Sequence, residues 1–348
     1  MSLSLSINLS MASTIFTSNP SLLFRYTRLR RPQQCPLEQL KVTQRNVWLR
    51  RWSVEAASMV APVVKTKAKA GSRLARVWRE IQGVDDWEDF VEPMNTLLQD
   101  EIMRYAVFVM VCYMACDLEP TSKRFLNCKY GKKNMLREVG MDGCGYEVTK
   151  YIYMTPDSSI TTQFGTCPGR WIGYVAVSSD DEVKRLRRRD IIVIFHGMVT
   201  NTEWTANLIS SLIPARLDPH NPRPDVKVES SYMNLYTSDD SVCKFSHGSC
   251  REQLLSELSR IIKEYRDEEL SITISGHSMG GSLAWLLAYD IAELGLNRDG
   301  LNHEVPITVC LFDSPSIGNS SFKERCEELG VNVLRIVNGN KLIIEHGF

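Results

Sequence analysis

No apolar run in this chain is long enough to cross a bilayer. The longest candidate, YAVFVMVCYMA at residues 105–115, is bounded by Arg104 and Asp117. It falls short of the ~18–20 apolar residues that a spanning helix needs. A segment of this length is typical of a buried helix, so we predict a helix here and no transmembrane segment.

The chain also lacks a net charge and any cysteine spacing typical of a metal site. Its 41 basic and 41 acidic side chains cancel, so the molecule as a whole gives no electrostatic argument for nucleic-acid binding. The 10 cysteines form no C-x-x-C pair and no His-rich pattern, which argues against zinc. We predict no metal and no cofactor, and mostly buried thiols, although Cys243 and Cys250 flank a loop and could pair under oxidation.

Acidic residues are almost absent from the first 54 positions. Glu38 is the one acid there, and serine and threonine dominate the first twenty residues before the arginines begin. A Ser-rich, Arg-rich and acid-poor segment is typical of an organelle transit peptide. We predict a chloroplast transit peptide at residues 1–55 and a linker at 56–72; the alternative is a disordered basic tail.

Apolar periodicity divides the remaining chain into alternating strands and helices. We predict strands at residues 145–154, 171–177, 191–195, 305–312 and 331–337. We predict helices at 73–101, continuing through 102–115, and at 203–212, 251–265 and 321–329. Strands alternating with helices favour an α/β fold with a mostly parallel sheet. The expected division is an N-terminal helical region at 73–150 and a core at 151–348.

The most informative stretch is LSITISGHSMGGSLAWLLAY at residues 270–289. It contains a G-x-S-x-G motif between a strand-like run and a helix-like run, the context of a nucleophile elbow. The motif consists of Gly276, His277, Ser278, Met279 and Gly280. Side chains at the two glycines would collide with the neighbouring strand or helix, which explains why glycine stands there. The pattern predicts Ser278 at a nucleophile position.

Four further segments carry a resemblance to one family. They are WREIQG at 78–83, YGKKN at 130–134, WIGYVAVSSD at 171–180 and PARLDPHNPRPDVKVES at 214–230. With the elbow, they resemble the plant plastid-type phospholipase A1 and galactolipid acylhydrolases, in the class 3, fungal-lipase-like branch of the α/β-hydrolases. The resemblance implies an α/β-hydrolase fold and a serine hydrolase of membrane glycerolipids. It also implies peripheral contact with a plastid membrane surface.

The resemblance assigns the oxyanion hole to two backbone amides, those of Met279 and Met198. The family supplies the second donor from an R-G-[ST] turn, where the hydroxyl also contributes. This chain has His196, Gly197 and Met198 there, and a thioether cannot donate a hydrogen bond. His196 is interpreted as a support residue in place of the arginine, and not as the catalytic base.

The same resemblance leaves the catalytic acid and base without clear candidates. The family's acid lies in a V-N-x-x-D turn after the strand at 331–337, where this chain has Lys341. The base belongs on a later segment, and His346 is too close in sequence to serve. His277 is expected to point away from the pocket. The remaining histidines lie in loops unsuited to the role: His220, His247 and His303.

One alternative acid is Asp313, which follows the strand at 305–312; without a histidine to orient, it is interpreted as a surface or helix-capping residue. We therefore expect a hydrolase impaired by the missing acid and base, on a core incomplete at its C-terminus with an edge at 331–337. Two alternatives stay open. One is an inactive relative that binds lipid or protein, and the other is an interaction module built on the helices before residue 150.

Overall fold

A computed structural model describes residues 73–155, 169–199, 211–239, 248–298, 304–338 and 342–346. Several expectations fall outside these residues. They are the transit peptide at 1–55, the linker at 56–72, most of the helix expected at 203–212, and the positions of Cys243, His247, His303 and Lys341.

The described residues are organised around a seven-stranded sheet in the order β1-β2-β3-β6-β7-β8-β9. Its strands are β1 (Tyr146–Met154), β2 (Arg170–Ser178), β3 (Arg189–Phe195), β6 (Leu270–His277), β7 (Ile307–Phe312), β8 (Val331–Asn338) and β9 (Leu342–His346). A separate antiparallel pair is formed by β4 (Leu212–Pro214) and β5 (Lys227–Glu229).

The centre of the sheet is parallel. The pairs β3–β6, β6–β7 and β7–β8 run parallel, whereas β1–β2, β2–β3 and β8–β9 run antiparallel. β1 therefore points the same way as β3, and only β2 and β9 run against the rest. The predicted mostly parallel central sheet is confirmed.

Helices cover both faces of this sheet. Those before β3 are α1 (Trp78–Ile81), α2 (Glu88–Val91), α3 (Thr96–Ala115), α4 (Met135–Glu138) and α5 (Asp180–Leu186), with one 3₁₀ turn at Lys132–Asn134. Those after β3 are α6 (Ser230–Thr237), α7 (Cys250–Glu264), α8 (Met279–Glu293) and α9 (Ser320–Glu328). The central strands β3 and β6 are buried along their whole length, as expected for parallel strands covered on both faces.

The long helix α3 packs across one face of the sheet. The Asn95 side chain caps its first turn by accepting a hydrogen bond from the Leu97 amide. Most of the helix is buried in one apolar core, together with Leu74, Ile81, Trp87 and side chains from the face of the sheet that α3 covers. The second core lies on the other face, around α7 and α8. None of the helices in the described ranges is long and apolar enough to span a membrane.

Two expectations about the elements are wrong. Leu212, predicted as the end of a helix, lies in β4 and pairs with Glu229. The strand at 331–337 is not an edge, because β9 pairs with it antiparallel and Ile344 lies opposite Ile336. The division expected at residue 150 stays a prediction; this position lies within β1.

Candidate active site

The turn between β6 and α8 has the backbone geometry of a nucleophile elbow. His277 ends the strand, Met279 begins the helix, and Ser278 between them has φ 54° and ψ −124°. A non-glycine residue at positive φ costs about 1–3 kcal/mol and persists only where its surroundings hold it. The Ser278 amide is held by the Phe312 carbonyl of β7 at 2.9 Å, and the residue is half-buried.

The glycines of the motif are required by close backbone approach. A Cβ at Gly276 would lie 2.3 Å from the carbonyl carbon and oxygen of Gly280. A Cβ at Gly280 would lie 2.5 Å from the His196 carbonyl oxygen. Neither backbone neighbour can move aside without displacing a strand or the first turn of α8. The G-x-S-x-G motif therefore reflects packing at both glycines as well as the turn itself.

The His196-Gly197-Met198 turn lies directly against the nucleophile position. A Cβ built on Gly197 would be 3.1 Å from the Ser278 Cβ and 2.6 Å from the His277 carbonyl oxygen. Met198 is half-buried and packs against the core around α8, and Met279 is fully buried. The two predicted oxyanion residues therefore lie on the two segments that meet here: Met198 comes directly after Gly197, and Met279 comes directly after Ser278.

A tyrosine from α3 joins these two segments. The Tyr113 hydroxyl accepts a hydrogen bond from the Gly197 amide at 2.6 Å and lies 2.8 Å from the His277 Nδ1. The amide can only donate, so the hydroxyl oxygen accepts this bond, and the same hydroxyl lies within hydrogen-bond distance of the imidazole. One hydroxyl thus couples the His-Gly-Met turn to the elbow.

His277 is kept neutral by its burial. Desolvation by burial lowers its pKa from 6.5 to about 4, so the ring is neutral at the pH of most cellular compartments. Its Nδ1 lies 2.8 Å from the Tyr113 hydroxyl. The imidazole is thus engaged by α3 on its Nδ1 side.

His196 is placed as a structural residue. It is 2% exposed, and its ring nitrogens lie against two backbone carbonyl oxygens, Nε2 2.8 Å from that of Trp171 in β2 and Nδ1 2.6 Å from that of Gly197. Its ring also lies near those of Trp171 and Tyr113, with centroids 5.8 and 5.6 Å away. These contacts anchor the start of the His-Gly-Met turn to the neighbouring strand.

No hydrogen bond joins Ser278 to the side chain of His196, His220 or His277. Within the ranges that the structure describes, the Ser278 Oγ has no hydrogen-bond partner. His220 is exposed near Asp218, to whose side chain its amide donates at 2.8 Å. His196 and His277 are occupied by the contacts given above. The geometry therefore assigns the base to none of these three.

The backbone of β9 places His346 away from the nucleophile. His346 pairs with Leu334, Leu334 with Cys310, and Cys310 with Ser275. Neighbouring strands lie ~4.8 Å apart, so three strand steps separate His346 from β6. His346 is also level with Ser275, which lies three residues before Ser278.

Asp313 lies at the same end of the sheet as the elbow. It follows β7 at φ 46°, and its amide donates to the Ile336 carbonyl of β8 at 2.9 Å. The residue is half-buried and is not a helix cap, because the Asn319 side chain caps α9 by accepting from the Phe322 amide. Within the described ranges, no three His, Cys, Asp or Glu side chains are grouped closely enough to hold a metal ion.

The sequence analysis found the elbow and the turn but missed Tyr113. Its helix is predicted from an apolar run, and Tyr113 is half-buried in the last turn of that helix. A single hydroxyl near the end of a buried helix is a weak signal. Only the three-dimensional contact with Gly197 and His277 gives it a role.

Comparison with known proteins gives consistent similarities. The model of the family Lipase (class 3) matches residues 192–344. The chain is 52% identical to "Galactolipase DONGLE, chloroplastic" of Arabidopsis thaliana, over 95% of this chain and 74% of the relative. It is 60% identical to "Phospholipase A1-Ialpha2, chloroplastic" of the same species, over 77% of this chain and 56% of the relative. It thus spans little more than half of the second relative.

Among solved structures, the nonglycosylated Yarrowia lipolytica LIP2 lipase is similar over 68% of this chain and 65% of its own, at 16% identity and a TM-score of 0.44.

Proposed function

The chain belongs to the class 3 lipase family, and we propose that it is a plastid serine hydrolase that cleaves acyl esters of membrane glycerolipids, of the phospholipase A1 or galactolipase type. Both relatives compared above are named chloroplastic, which confirms the predicted chloroplast localisation. Ser278 is the proposed nucleophile, and the amides of Met279 and Met198 are the proposed oxyanion donors. The substrate is a lipid met at a membrane surface.

The observation that carries this proposal is the backbone of Ser278. Its φ of 54° costs free energy that a structural serine would have no reason to keep. Gly197 on one side and Gly276 and Gly280 on the other bring three backbone segments against this residue. Such a convergence presents a hydroxyl above the sheet and next to candidate oxyanion amides.

Hydrolysis by this site is proposed to be slow. The second oxyanion position is Met198, whose side chain cannot donate, so that only its amide remains. Losing one oxyanion donor typically lowers the rate by about 10²–10³. Lys341, which stands where the family carries its catalytic aspartate, also argues for an impaired rate. The finer proposal is therefore a hydrolase whose activity depends on Ser278 and whose rate is well below that of a family member with a complete oxyanion hole.

Labelling with a fluorophosphonate tests the nucleophile. The full chain is expected to form a covalent adduct on Ser278, located by peptide mapping, and Ser278→Ala should lose it. Ser282→Ala is the matched control: this buried serine lies one turn further along α8, with its Oγ 3.5 Å from the Ser314 Oγ. Equal labelling of the wild type and Ser278→Ala would refute the proposal.

The second candidate is a lipid-binding or protein-binding relative without turnover. It is favoured by the observation that Ser278 has no hydrogen bond to the side chain of His196, His220 or His277. Met198→Ser distinguishes the two, because a hydroxyl restored at this position should raise ester turnover by about 10-fold or more if Ser278 is a working nucleophile. Met198→Ala is the control that removes the thioether without adding a donor. Vesicle binding by a chain whose Met198→Ser variant still shows no turnover would favour the binding protein.

A further inference from the structure

A pair of cysteines lies beside the C-terminal end of α3. The seven cysteines of the described ranges are all buried and none is in a disulfide. Two of them, Cys116 and Cys128, are joined by an isolated antiparallel bridge. Cys116 is the C-terminal cap residue of α3, and Cys128 lies on the segment that returns alongside it.

The hydrogen bonds around this bridge define its geometry. The Lys129 amide donates to the Ala115 carbonyl, and the Asp117 amide donates to the Asn127 carbonyl, both at 2.8 Å. These bonds lie one residue before and after the two cysteines, which are therefore a non-hydrogen-bonded pair. Residues so paired have Cα atoms about 4.5 Å apart and side chains on one face. That separation falls within the ~4.4–6.8 Å range of disulfides.

The surroundings of the two cysteines allow thiol–disulfide exchange, but only slowly. Cys116 is 1% and Cys128 6% exposed, but the neighbouring Arg124 and Lys129 lie at the surface. The Cys128 thiol donates to the Tyr151 hydroxyl at 3.2 Å, and burial raises the pKa of the Cys128 thiol. Attack by the thiolate therefore requires local opening of the returning segment.

We propose that Cys116 and Cys128 are a reversible dithiol site that closes into a cross-strand disulfide. A disulfide of another molecule, such as oxidised glutathione or an oxidised dithiol protein, is the electron acceptor. One thiolate attacks that disulfide and releases a thiol, and the second thiolate then displaces the other thiol. The two thiols of the chain lose two protons and two electrons, one S–S bond forms, and the acceptor becomes two thiols. Disulfides in reducing compartments are typically transient and redox-sensing.

The site is coupled by position to the candidate active site. The Cys116 amide donates to the Tyr113 carbonyl at 3.3 Å, and the Tyr113 hydroxyl bridges Gly197 and His277. A disulfide would fasten the last turn of α3, which carries this hydroxyl, to the returning segment. The inference concerns the thiols alone, so it stands independently of the proposed hydrolysis.

Peptide mapping of the full chain tests the pair directly. The chain is equilibrated with excess oxidised glutathione, alkylated, cut with trypsin and analysed without reduction. Trypsin places Cys128 in FLNCK (residues 125–129), and places Cys112 and Cys116 together in YAVFVMVCYMACDLEPTSK (residues 105–123). The two peptides are expected to be joined, with fragment ions between Cys112 and Cys116 locating the link at Cys116. Dithiothreitol should release both peptides.

Variants complete the test. Cys128→Ser should abolish the linked species, and Cys112→Ser should keep it, because the Cys112 thiol points to the Ile172 carbonyl at 3.9 Å. Separate alkylation of the two peptides after oxidation would overturn the proposal. A link through Cys112, or glutathione attached to Cys128 without a link, would overturn it equally. The wild-type map decides the question even if a variant does not fold.

Discussion

At the scale of single residues, the hydroxyl of Tyr113 determines how the two halves of the site are held. It accepts a hydrogen bond from the Gly197 amide in the turn and is hydrogen-bonded to the His277 Nδ1 in the elbow, at 2.6 and 2.8 Å. The turn that offers the Met198 amide therefore depends on a residue of a distant helix, in addition to its own backbone.

Replacing Tyr113 by phenylalanine tests this dependence. Tyr113→Phe leaves a buried amide and a ring nitrogen without their partner, which should cost about 1–3 kcal/mol of unfolding free energy and slow fluorophosphonate labelling of Ser278. Tyr174→Phe is the matched control, because the Tyr174 hydroxyl also bonds α3, at the Phe108 carbonyl, 3.1 Å away. We expect the control to label at the wild-type rate. Equal labelling rates for both variants would show that Tyr113 does not position the site.

His277 makes the stability of the protein depend on pH. Its pKa is lowered by burial to about 4, below the 6.5 of an exposed histidine. The unfolded chain thus binds a proton that the folded chain rejects, so the stabilisation is complete above pH 6.5 and is lost as the pH falls towards 4. The loss should reach about 3 kcal/mol.

Chemical denaturation across this pH range measures the effect. His277→Gln should flatten the slope of unfolding free energy against pH, whereas His220→Gln, at an exposed position, should leave it unchanged. If the His277→Gln protein and the wild type lose stability in parallel, the imidazole is not the group responsible.

At the scale of elements, the elbow depends on how closely β6 and α8 approach. Gly276→Ala would place a Cβ 2.3 Å from backbone atoms of Gly280, and we expect a loss of about 3 kcal/mol or more in unfolding free energy. Gly131→Ala is the control, since Gly131 has φ −71° and no atom within 4 Å of an added Cβ. It should change stability by no more than about 0.5 kcal/mol. Equal stability of the two variants would contradict the close packing.

The sequence predicted those elements whose pattern is set by burial alone. Residues 191–195 of β3 are a continuous apolar run and β7 is apolar except for Thr308, because parallel strands covered on both faces bury every side chain. The helix α7 carries a regular apolar stripe with a Ser249 capping box. β4 was missed because its three residues are defined by pairing with β5, which is distant in sequence. β9 is not predicted for a similar reason. Its short run follows β8 closely, and it is recognisable as a strand only from its pairing with β8, in which Ile344 lies opposite Ile336.

The candidate site divides in the same way. Ser278 and its glycines were predictable because strand, turn and helix are contiguous in sequence. Tyr113 was not, because 164 residues separate it from His277 and no local pattern marks the contact. Asp313 was taken for a surface or capping residue, yet its position beside the elbow follows from the parallel pairing of β7 with β6, which brings the ends of the two strands together.

At the scale of the whole molecule, a buried polar cluster joins the N-terminal helices to the sheet. Asp190 of β3 accepts from Tyr146 of β1 at 2.6 Å and from Ser271 of β6 at 2.8 Å, and pairs with Arg104 of α3 at 3.5 Å. Burial by itself would raise the pKa of Asp190, but Arg188, Arg104 and these hydrogen bonds outweigh it and lower the pKa. The cluster links four elements through one carboxylate.

Removing that carboxylate should destabilise the whole fold. Asp190→Ala leaves Arg104 buried without one of its partners, at an expected cost of about 3–5 kcal/mol in unfolding free energy. Asp181→Ala is the matched control, because Asp181 pairs with Lys184 at the surface with its side chain 93% exposed, and such an exposed, solvent-screened pair contributes little to stability. Denaturant titration measures both, and a similar small change in each would argue against the buried cluster as a link between helices and sheet.

The account as a whole depends on Ser278 acting on a lipid ester. The most direct measurement is fatty acid release from vesicles that contain phospholipid and galactolipid, by the full chain and by Ser278→Ala at equal concentration. The account predicts slow release that depends on Ser278 and stands clearly above the Ser278→Ala baseline. Release at the same rate by both proteins would contradict it.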